Sequence, residues 1–379
     1  MQQLIISEKP AAAAKIAAAL GKPIQKKTGK AVYFEVKKNN KKIIIAPAVG
    51  HLFSLAAKKK NQYPVFDVEW TPTFEINKRA AFAKPYFKNI QKLSKGADDF
   101  VVATDYDIEG EVIGLNILKY ICKQKDAKRM KFSTLTQSDL KKAYADMRDT
   151  IDWGQAEAGI TRHHLDFYWG INLSKAITDA LYLAIKRFKP LSIGRVQGPA
   201  LAVLTERERK ITKFIPKPYW QLFILLNLHG KQFQAVHEKE KFWKQDEAKK
   251  IYNKIKGKQA KITNIQKRKQ TVHVPFPFDL TSLQIEAYRC FKIPPKTTLQ
   301  IAQSLYTSAY ISYPRTSSQK LPPSIGYKKI LTNLAKQSKY KLLASKIIAK
   351  KTLRPKQGKK TDPAHPAIYP TGQIPKGLD

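Results

Sequence analysis

One stretch of this chain joins a short apolar run to an unusual density of acidic side chains. The run Phe100–Ala103 predicts a buried β-strand, and four carboxylates follow it, at Asp105, Asp107, Glu109 and Glu111. A helical pattern begins directly after the last of them. Because a buried strand that passes into a helix is the repeating unit of α/β folds, this stretch predicts an α/β architecture for the surrounding chain.

The first 150 residues repeat this alternation of strand and helix. Strands are predicted at Gln3–Ile6 and Lys42–Pro47, and Pro10 opens an alanine-rich helix. A further helix is predicted at Val112–Tyr120. Residues 1–150 are therefore expected to form a doubly wound sheet with helices on its faces.

The rest of the chain divides into three further segments by its periodicity. The expected boundaries are 151–207 for a helical segment, 208–276 for a β-rich segment and 277–379 for a second helical segment. Within the β-rich segment, Tyr219–Leu228 and Gln232–His237 predict a hairpin around a glycine. Lys261–Val274 predicts a third strand. The expected fold class is thus a multidomain chain that combines α/β, α and β parts.

The carboxylates that follow Phe100–Ala103 favour a divalent metal site. Ligand sites in α/β sheets lie at the carboxyl ends of strands, and Asp105 and Asp107 share one side of an extended strand end. Carboxylate oxygens are the ligands that suit Mg²⁺. The alternative is capping of the following helix, whose dipole also favours acids. Capping needs one or two acids, whereas this stretch has four.

A fifth acid, Glu8, follows the first predicted strand at the equivalent position. If the two strands are neighbours, Glu8 faces the acid cluster and is a metal ligand or a general acid. If they are not, Glu8 is an ordinary surface acid.

The chain is strongly basic. Its 70 Lys and Arg residues against 29 Asp and Glu residues give a formal net charge of +41, which favours binding to phosphate backbones. No acidic side chain occurs between Glu286 and Asp362, where tyrosines are interleaved with basic residues. Such a mixture is typical of single-stranded nucleic-acid binding. The alternative is a solvated, lysine-rich surface.

Several classes of protein are disfavoured by the sequence. It has no apolar run of membrane-spanning length and no signal-peptide pattern. It has no GxxxxGK[ST] motif, so ATP hydrolysis at a P-loop is not expected. Two cysteines, Cys122 and Cys290, are too few for a zinc ribbon or a disulfide framework, and a reducing cytoplasm is the expected compartment.

A second candidate for chemistry is the segment Ile311–Ser318, which contains Tyr313, Pro314 and Arg315. A tyrosine hydroxyl can attack a phosphodiester and form a covalent phosphotyrosine. A free tyrosine has a pKa of about 10, so nearby cations such as Arg315 are needed to favour the phenolate and to neutralise the transition state. The alternative is an ordinary Tyr-Pro turn.

Six motifs, in this order, resemble those of the type IA DNA topoisomerases. They are Ile5–Pro10 (IISEKP), Val49–Leu52 (VGHL), Thr104–Glu111 (TDYDIEGE), Ser192–Ala200 (SIGRVQGPA), Ile311–Thr316 (ISYPRT) and Ala364–Ile368 (AHPAI). The acidic motif alone also occurs in primases and nucleases that share the TOPRIM module, whereas six motifs in one order are highly specific. The Glu-Lys-Pro and Tyr-Pro-Arg-Thr versions resemble the topoisomerase III and archaeal branch.

The resemblance implies a TOPRIM domain in which Glu8, Asp105 and Asp107 bind Mg²⁺, with Glu109 in support. It implies that Tyr313 is the nucleophile and becomes attached to the 5′ phosphate of one cut DNA strand.

The resemblance assigns further roles at the cleavage site. Arg315 would stabilise the transition state, and Glu8 would protonate the leaving 3′ oxygen. Lys9 would hold the scissile phosphate, and His365 would also act there. Cleavage and resealing are transesterifications, so no ATP is needed, and a second strand passes through the gap before resealing.

Further residues match DNA-binding positions of the family. Ser192, Gly194, Arg195 and Gln197 lie in its DNA-binding segment; the alternative is that the glycine only punctuates a helix start. Arg162 and Asp166 match positions that contact the single strand, but their spacing also fits a simple i,i+4 ion pair. His51 is either a phosphate contact or a satisfied loop histidine. His163 and His164 are interpreted as structural, without a named partner.

The resemblance also implies a toroid that this sequence does not complete. Residues 1–150 would form its TOPRIM domain, 151–207 and 208–276 the first parts of its helical and β-arch domains, and 277–379 the domain with the catalytic tyrosine. The return segments expected after His365 are not in the sequence, which suggests one half of a split enzyme or a truncated form. A complementing C-terminal chain is then the expected partner besides DNA, and poor relaxation of supercoils is expected from this chain alone.

Two other functional classes stay open on the sequence. One is a non-catalytic nucleic-acid-binding subunit, and the other is a TOPRIM nuclease or primase-like protein. Neither needs a nucleophilic tyrosine, so the segment around Tyr313 argues against both.

Overall fold

The computed structural model describes residues 2–59 and 63–375 of the chain. These fall into two compact units, one made of residues 1–195 together with 274–379 and the other of residues 196–273. Across the described ranges, no helix has both the length and the apolar character needed to cross a bilayer.

The first unit contains a six-stranded sheet and a two-stranded sheet. Their strands are β1 (Gln2–Ser7), β2 (Ile24–Thr28), β3 (Ala31–Lys38), β4 (Lys41–Pro47), β5 (Phe53–Ala57), β6 (Val68–Pro72), β7 (Asp99–Ala103) and β8 (Lys128–Arg129). The large sheet has the order β2-β3-β4-β1-β7-β8. β1 runs parallel to both β4 and β7, while β2, β3 and β4 form an antiparallel meander at one edge. The three strands predicted in this region are confirmed as β1, β4 and β7.

Helices lie between and around these strands. They are α1 (Pro10–Leu20), α2 (Thr73–Ile76), α3 (Lys84–Ser94), α4 (Ile108–Asn116), α5 (Gln137–Ala145) and α6 (Trp153–Ile185). A 3₁₀ turn at Lys78–Ala83 precedes α3, and a π-helical turn at Ile117–Cys122 follows α4. Proline favours the first helical position, where its fixed φ fits and its missing N–H is not needed. This is why α1 begins at Pro10.

Both faces of the large sheet are buried. Ile5 and Val101 face one cluster of apolar side chains, which includes residues of α1 and α5. Leu4, Ile6 and Val102 face the opposite cluster, which includes residues of α3 and α4. A strand that is buried on both faces has a nearly continuous apolar sequence, which explains why these strands could be predicted. Their alternation also fixes the register, since a shift by one residue would exchange the two faces.

The second unit consists of α7 (Gln197–Thr212), a hairpin of β9 (Phe223–Leu228) and β10 (Lys231–Val236), and α8 (Gln245–Ile255). The two strands pair antiparallel across His229 and Gly230, which both have positive φ. This geometry matches the twist of a tight hairpin, and it confirms the predicted hairpin.

The third strand predicted at Lys261–Val274 is wrong. All residues from 261 to 274 have an irregular conformation, and Ile262, Ile265 and Val272 are 62%, 71% and 91% exposed. A strand needs a neighbour for its backbone N–H and C=O groups. In the described part of the second unit, β9 and β10 pair only with each other, so this segment has no strand to pair with.

In the described residues that follow the second unit, the first unit continues with four α-helices. They are α9 (Leu280–Phe291), α10 (Pro295–Thr307), α11 (Tyr327–Leu334) and α12 (Ser338–Ile348). Tyr306 at the end of α10, and Tyr313 in the following loop, pack into the apolar cluster that contains Ile5. The Tyr313 amide donates a hydrogen bond of 2.9 Å to the carbonyl oxygen of Ser133. The tyrosine-bearing segment therefore contacts the large sheet near the ends of β1 and β7.

Candidate active site

The adjacent strands β1 and β7 end at the same edge of the sheet, where Ser7 pairs with Ala103. Glu8 and Lys9 follow β1 directly, and Asp105 follows β7 after one residue. This arrangement confirms that the strand preceding Glu8 is a neighbour of the strand preceding the acid cluster. Glu8 therefore faces the cluster, as expected for neighbouring strands.

Lys9 links the first two carboxylates. Its Nζ lies 2.8 Å from Glu8 Oε1 and 3.2 Å from Asp105 Oδ2. The hydroxyl of Tyr306 donates to the other Asp105 oxygen, Oδ1, at 3.0 Å. The Lys9 ammonium and the Tyr306 hydroxyl thus each contact one oxygen of the Asp105 carboxylate.

The charges in this cluster shift each other's protonation. Burial, followed by repulsion from Asp105, raises the pKa of Glu8 to about 7. Burial lowers the pKa of Lys9, but attraction to Asp105 and Glu8 outweighs it, and the net direction is upward. At Glu8, burial and the charge of Asp105 together outweigh the effect of the Lys9 ammonium.

Asp107 connects the acid cluster to the candidate nucleophile. It is the N-cap of α4, and its Oδ1 accepts a 2.8 Å hydrogen bond from the Gly110 amide. Its Oδ2 accepts a hydrogen bond from the Tyr313 hydroxyl. Asp107 therefore caps the helix, as the alternative interpretation expected, and also contacts the tyrosine. A side chain at position 110 would overlap the Asp105 carbonyl oxygen, so the turn requires glycine.

Tyr313 is enclosed and protonated in this state. It is 2% exposed, and burial, followed by the charges of Asp107 and Asp105, raises its pKa far above the ordinary value. Attraction from Arg315 opposes this shift but does not overcome it.

His365 packs against Tyr313, with 4.5 Å between the ring centroids. Its Nε2 lies 3.0 Å from the carbonyl oxygen of Tyr106, and its Nδ1 lies 3.0 Å from the Ser133 hydroxyl oxygen. A carbonyl oxygen can only accept, so the neutral ring carries its proton on Nε2 and accepts at Nδ1. Burial lowers the pKa of His365, which favours this neutral form.

The last acid of the motif has a structural partner. Glu111 and Arg129 form a fully buried ion pair, with 2.6 Å between Oε1 and Nε. The Arg129 guanidinium also donates to the carbonyl oxygens of Thr104 and Asp105, at 2.9 and 3.0 Å. It thereby fixes the backbone from which the Asp105 side chain projects.

Glu109 belongs to a different group of residues. Its Oε2 lies 3.1 Å from His51 Nε2 and 3.0 Å from His163 Nε2, and its Oε1 lies 3.1 Å from Arg162 Nη1. Hydrogen bonds from His163 and then His51 lower the pKa of Glu109. His163, for which the sequence suggested no partner, thus has one, whereas the hydrogen bond of His164 joins Nδ1 to the Ile160 carbonyl oxygen within α6.

The distances separate these acids into two sets. Among the described residues, His51, Glu109 and His163 are the one group of three or more His, Cys, Asp or Glu whose ligand atoms all lie within 4.8 Å of one another. Glu8, Asp105 and Asp107 also lie at the sheet edge, but their carboxylate oxygens do not all lie within 4.8 Å of one another. In this state their oxygens are held by Lys9 and the two tyrosine hydroxyls.

Most of the predicted DNA-binding residues lie on α6 and in the loop after it; His51 follows β4. The Arg162–Asp166 ion pair is present at 3.6 Å, but Asp166 has a shorter contact of 2.6 Å with Arg195 Nε. Ser192 and Gly194 lie in the loop, and Gln197 is the first residue of α7 in the second unit.

Two hydroxyl side chains of α6 attach this loop. Thr178 accepts a 3.0 Å hydrogen bond from the Leu191 amide, and Ser174 accepts one of 2.9 Å from the Ile193 amide. The loop is thereby held beside the α6 face that carries Asp166.

A cavity of about 370 Å³ is bordered by residues of the sheet edge, of the group around Glu109 and of α6. Its lining includes Glu8, His51, Glu109, Arg162, His163, Asp166 and Arg315. Two of the predicted catalytic residues, Glu8 and Arg315, and three of the predicted DNA-binding residues, His51, Arg162 and Asp166, therefore border one space.

Sequence reasoning missed Tyr306 and Arg129. Tyr306 is one of several tyrosines in a basic segment, and Arg129 is one of many basic residues, so neither stands out in the sequence. Their partners lie 201 and 18 residues away, and only the fold brings them together.

Family models match almost the whole chain. A model described as Toprim domain matches residues 3–135, and one described as DNA topoisomerase matches residues 150–379. The second match covers more than half of the chain. The chain therefore belongs to the DNA topoisomerase family, and its N-terminal part is a Toprim domain.

Individual relatives agree with this assignment. The chain is 48% identical to "DNA topoisomerase 1" of Pyrococcus horikoshii, over 99% of this chain and 56% of that protein. It is 51% identical to "DNA topoisomerase 1" of Methanocaldococcus jannaschii, over 97% of this chain and 48% of that protein. The chain thus spans about half the length of these relatives.

A solved structure of the same fold is full-length topoisomerase I from Thermotoga maritima. It superposes with a TM-score of 0.63 at 23% identity, over 97% of this chain and 55% of that one. At this identity the likeness supports the fold, which is the type IA topoisomerase architecture with its Toprim domain.

Proposed function

We propose that this protein cleaves and reseals single strands of DNA through a 5′-phosphotyrosine intermediate, without ATP. Strand passage through the gap would relax supercoils or unlink DNA circles. The observation that carries the proposal is the hydrogen bond from the Tyr313 hydroxyl to Asp107. It joins a candidate nucleophile to the acid cluster of a Toprim domain, which a nuclease or a simple binding subunit would not need.

In the proposed reaction, each proton has a donor and an acceptor among the residues of the site. In cleavage, the Tyr313 oxygen bonds to phosphorus and its proton leaves toward Asp107, its present acceptor. The bond from phosphorus to the 3′ oxygen breaks, and that oxygen takes a proton, for which Glu8 is the proposed donor. Resealing is the reverse, so the energy of the phosphodiester is kept in the phosphotyrosine.

Cationic side chains would neutralise the phosphate during attack. Arg315 lies two residues from the nucleophile and lines the cavity that Glu8 also lines, where a guanidinium can bind two phosphate oxygens. Lys9 already lies between Glu8 and Asp105, and we propose that it turns to the scissile phosphate when DNA is present. His365, neutral and packed on the tyrosine ring, would position Tyr313.

Glu8, Asp105 and Asp107 are the residues proposed to hold Mg²⁺. They fit such an ion because they offer only carboxylate oxygens, and because Glu8 and Asp105 lie close enough that burial, followed by repulsion from Asp105, raises the pKa of Glu8. When bound, Mg²⁺ would help to neutralise and orient the phosphate. Glu109, expected to support this site, contacts His51 and His163 in this state, and its support of Mg²⁺ stays a prediction.

The enclosed tyrosine implies a closed state. A side chain that is 2% exposed cannot reach a DNA phosphate. The segment after α10 would therefore have to separate from the sheet edge, at least in part, before a strand enters. The proposed DNA contacts are His51, Arg162, Asp166, Ser192, Gly194, Arg195 and Gln197.

DNA is the proposed partner, in single-stranded segments of duplex, and the cytoplasm with its chromosome is the proposed site of action. The two archaeal relatives described above are about twice as long as this chain. We propose that full strand passage needs the portion that they have in addition, on the same chain or on a complementing one. Cleavage of a single strand needs only the residues described above.

Covalent trapping tests the proposal. The protein is mixed with labelled single-stranded DNA and Mg²⁺, denatured with detergent, and examined for label that migrates with protein. We expect a labelled adduct from the unchanged chain and from Tyr310→Phe, a matched control in the same loop, but none from Tyr313→Phe. An adduct that survives Tyr313→Phe, or free cleaved DNA without an adduct, would reject the proposal.

A further inference from the structure

The group formed by His51, Glu109 and His163 takes part in no bond-making or proton-transfer step of the reaction proposed above, although His51 is also a proposed DNA contact. It lies at the wall of the cavity, on the loop after β4 and on α4 and α6. Three segments that are distant in sequence therefore place two imidazole nitrogens around one carboxylate oxygen. A histidine pair that converges on a carboxylate is the donor set of many transition-metal sites.

We propose that His51, Glu109 and His163 form a second metal site, selective for Zn²⁺ or a similar transition ion over Mg²⁺. Neutral imidazole nitrogen suits Zn²⁺, whereas Mg²⁺ prefers oxygen ligands. The carboxylates at the sheet edge offer oxygen alone. The two sites would thus differ in the ions they take, although one cavity borders both.

Two of the three distances between the ligand atoms are close to those around such an ion. Glu109 Oε2 is 3.1 Å from His51 Nε2 and 3.0 Å from His163 Nε2. In a tetrahedral site with bonds of about 2.0 Å to nitrogen and oxygen, neighbouring ligand atoms lie about 3.3 Å apart. Each separation would have to grow by only about 0.2–0.3 Å, which side-chain rotation can provide. Zn²⁺ would then replace the N–H protons that now point at the carboxylate.

The surroundings leave the site open on one side. The side chains of His51, Glu109 and His163 are 30%, 25% and 27% exposed, so a water or an anionic oxygen can take a fourth position from the cavity. Arg162 holds the other Glu109 oxygen at 3.1 Å. This contact orients the carboxylate and leaves Oε2 for the ion.

The second nitrogen of His51 limits the expected affinity. His51 Nδ1 is buried and has no hydrogen-bond partner among the described residues. Histidines that bind a metal usually donate a hydrogen bond from their other ring N–H to a carboxylate or carbonyl oxygen. Loss of that partner weakens metal binding by about 10–100-fold. We therefore expect a dissociation constant for Zn²⁺ in roughly the micromolar range, well above that of a structural zinc site.

Zinc titration of the full chain tests the site without reference to topoisomerase activity. Binding of zinc chloride is measured by calorimetry in a large excess of Mg²⁺, which occupies the carboxylates at the sheet edge. All proteins carry Cys290→Ser, which removes the exposed thiol. We expect one equivalent of Zn²⁺ to bind, and we expect Co²⁺ to give the strong visible absorption of a tetrahedral site.

Matched variants locate the ion. We expect His163→Gln and Glu109→Gln each to weaken Zn²⁺ binding at least tenfold, and His164→Gln, the neighbouring histidine outside the group, to leave it unchanged. Circular dichroism verifies that each variant is folded, and Glu109→Gln retains the size of the side chain. No Zn²⁺ binding, binding that Mg²⁺ abolishes, or binding that is unaffected by His163→Gln and Glu109→Gln would overturn the proposal.

Discussion

Arg129 is the residue on which the geometry of the acid cluster depends most directly. Its side chain and that of Glu111 are both 0% exposed, and it donates to backbone carbonyls on both sides of Asp105. Glu111 Oε2 has no hydrogen-bond partner among the described residues. The pair is therefore incompletely compensated and tolerates no loss of the guanidinium.

Removal of this guanidinium should be strongly destabilising. Arg129→Met leaves the Glu111 carboxylate buried without its cation, and loss of one partner of a buried pair lowers the free energy of unfolding by about 3–5 kcal/mol. Lys128→Met removes the neighbouring, 41% exposed partner of Asp99, where a loss below about 1 kcal/mol is expected. Urea unfolding followed by circular dichroism compares the two. Equal losses would contradict the role given to Arg129.

Tyr306 should control how readily Mg²⁺ reaches Asp105. Its hydroxyl donates a hydrogen bond to Asp105 Oδ1, and a hydrogen bond to a charged group contributes about 1.5–3 kcal/mol. Tyr306→Phe keeps the buried ring but frees this oxygen, so the Mg²⁺ concentration for half-maximal DNA adduct should fall by about 10- to 150-fold. The measurement is a Mg²⁺ titration of covalent trapping. A higher Mg²⁺ requirement in the variant would show that the hydroxyl instead orients the ligand.

At the level of residues, the sequence predicts that the acidic side chains lie close together, but not which residues they contact. Glu8 and Asp105 follow adjacent buried strands, so their proximity could be predicted from apolar patterns alone. The sequence could not predict that the acids of the motif have three different sets of partners, one for Asp105 and Asp107, one for Glu109 and one for Glu111. It depends on residues of α6, β8 and α10, which reach the motif through packing at long sequence separation.

Among the helices, α9 begins with a cap that has several partners. Asp279 accepts from the Ser282 amide at 2.7 Å in a capping box, and Lys360 Nζ lies 3.0 Å from its other oxygen. Burial raises the pKa of Asp279, but the hydrogen bonds from Ser282 and Lys360 outweigh it, so the pKa is lowered. The cap thus joins the start of α9 to the segment before His365.

The contribution of this cap should depend on pH. Because the folded-state pKa lies below that of the unfolded chain, the carboxylate stabilises the fold above the unfolded value of about 3.9. This stability is lost as the pH falls through the folded-state pKa. Asp279→Ala should therefore lower the free energy of unfolding by about 1–2 kcal/mol at pH 7 and by less below about pH 4. A difference that is constant from pH 7 to pH 3 would contradict this account.

The helices and strands could be predicted where burial imposes a period. β1, β4, β7, α1 and the long α6 follow from apolar runs or helical spacing, and the β9–β10 hairpin follows from its glycine. Strand propensity alone failed at Lys261–Val274, because those apolar residues have no partner strand in the described chain. β2 was not predicted, since its side chains are almost all exposed at the sheet edge.

For the whole molecule, the net charge of +41 should dominate binding to DNA. If about five phosphates are neutralised, the logarithm of the affinity for single-stranded DNA should fall with the logarithm of salt with a slope of about −3.5. Between about 50 and 200 mM salt the affinity would then drop about 100-fold. Fluorescence anisotropy with a labelled oligonucleotide measures this slope. A slope near zero would show that the basic residues are a solvated surface only.

The central claim is that Tyr313 and the acid cluster form one active site that closes when DNA is absent. The most direct test is to locate the covalent bond. Adduct formed with DNA and Mg²⁺ is digested with nuclease and trypsin, and the peptide Thr297–Arg315, which contains Tyr306, Tyr310 and Tyr313, is sequenced by mass spectrometry. The account predicts a nucleotide remnant on Tyr313 alone. A remnant on Tyr306 or Tyr310, or none on this peptide, would contradict it.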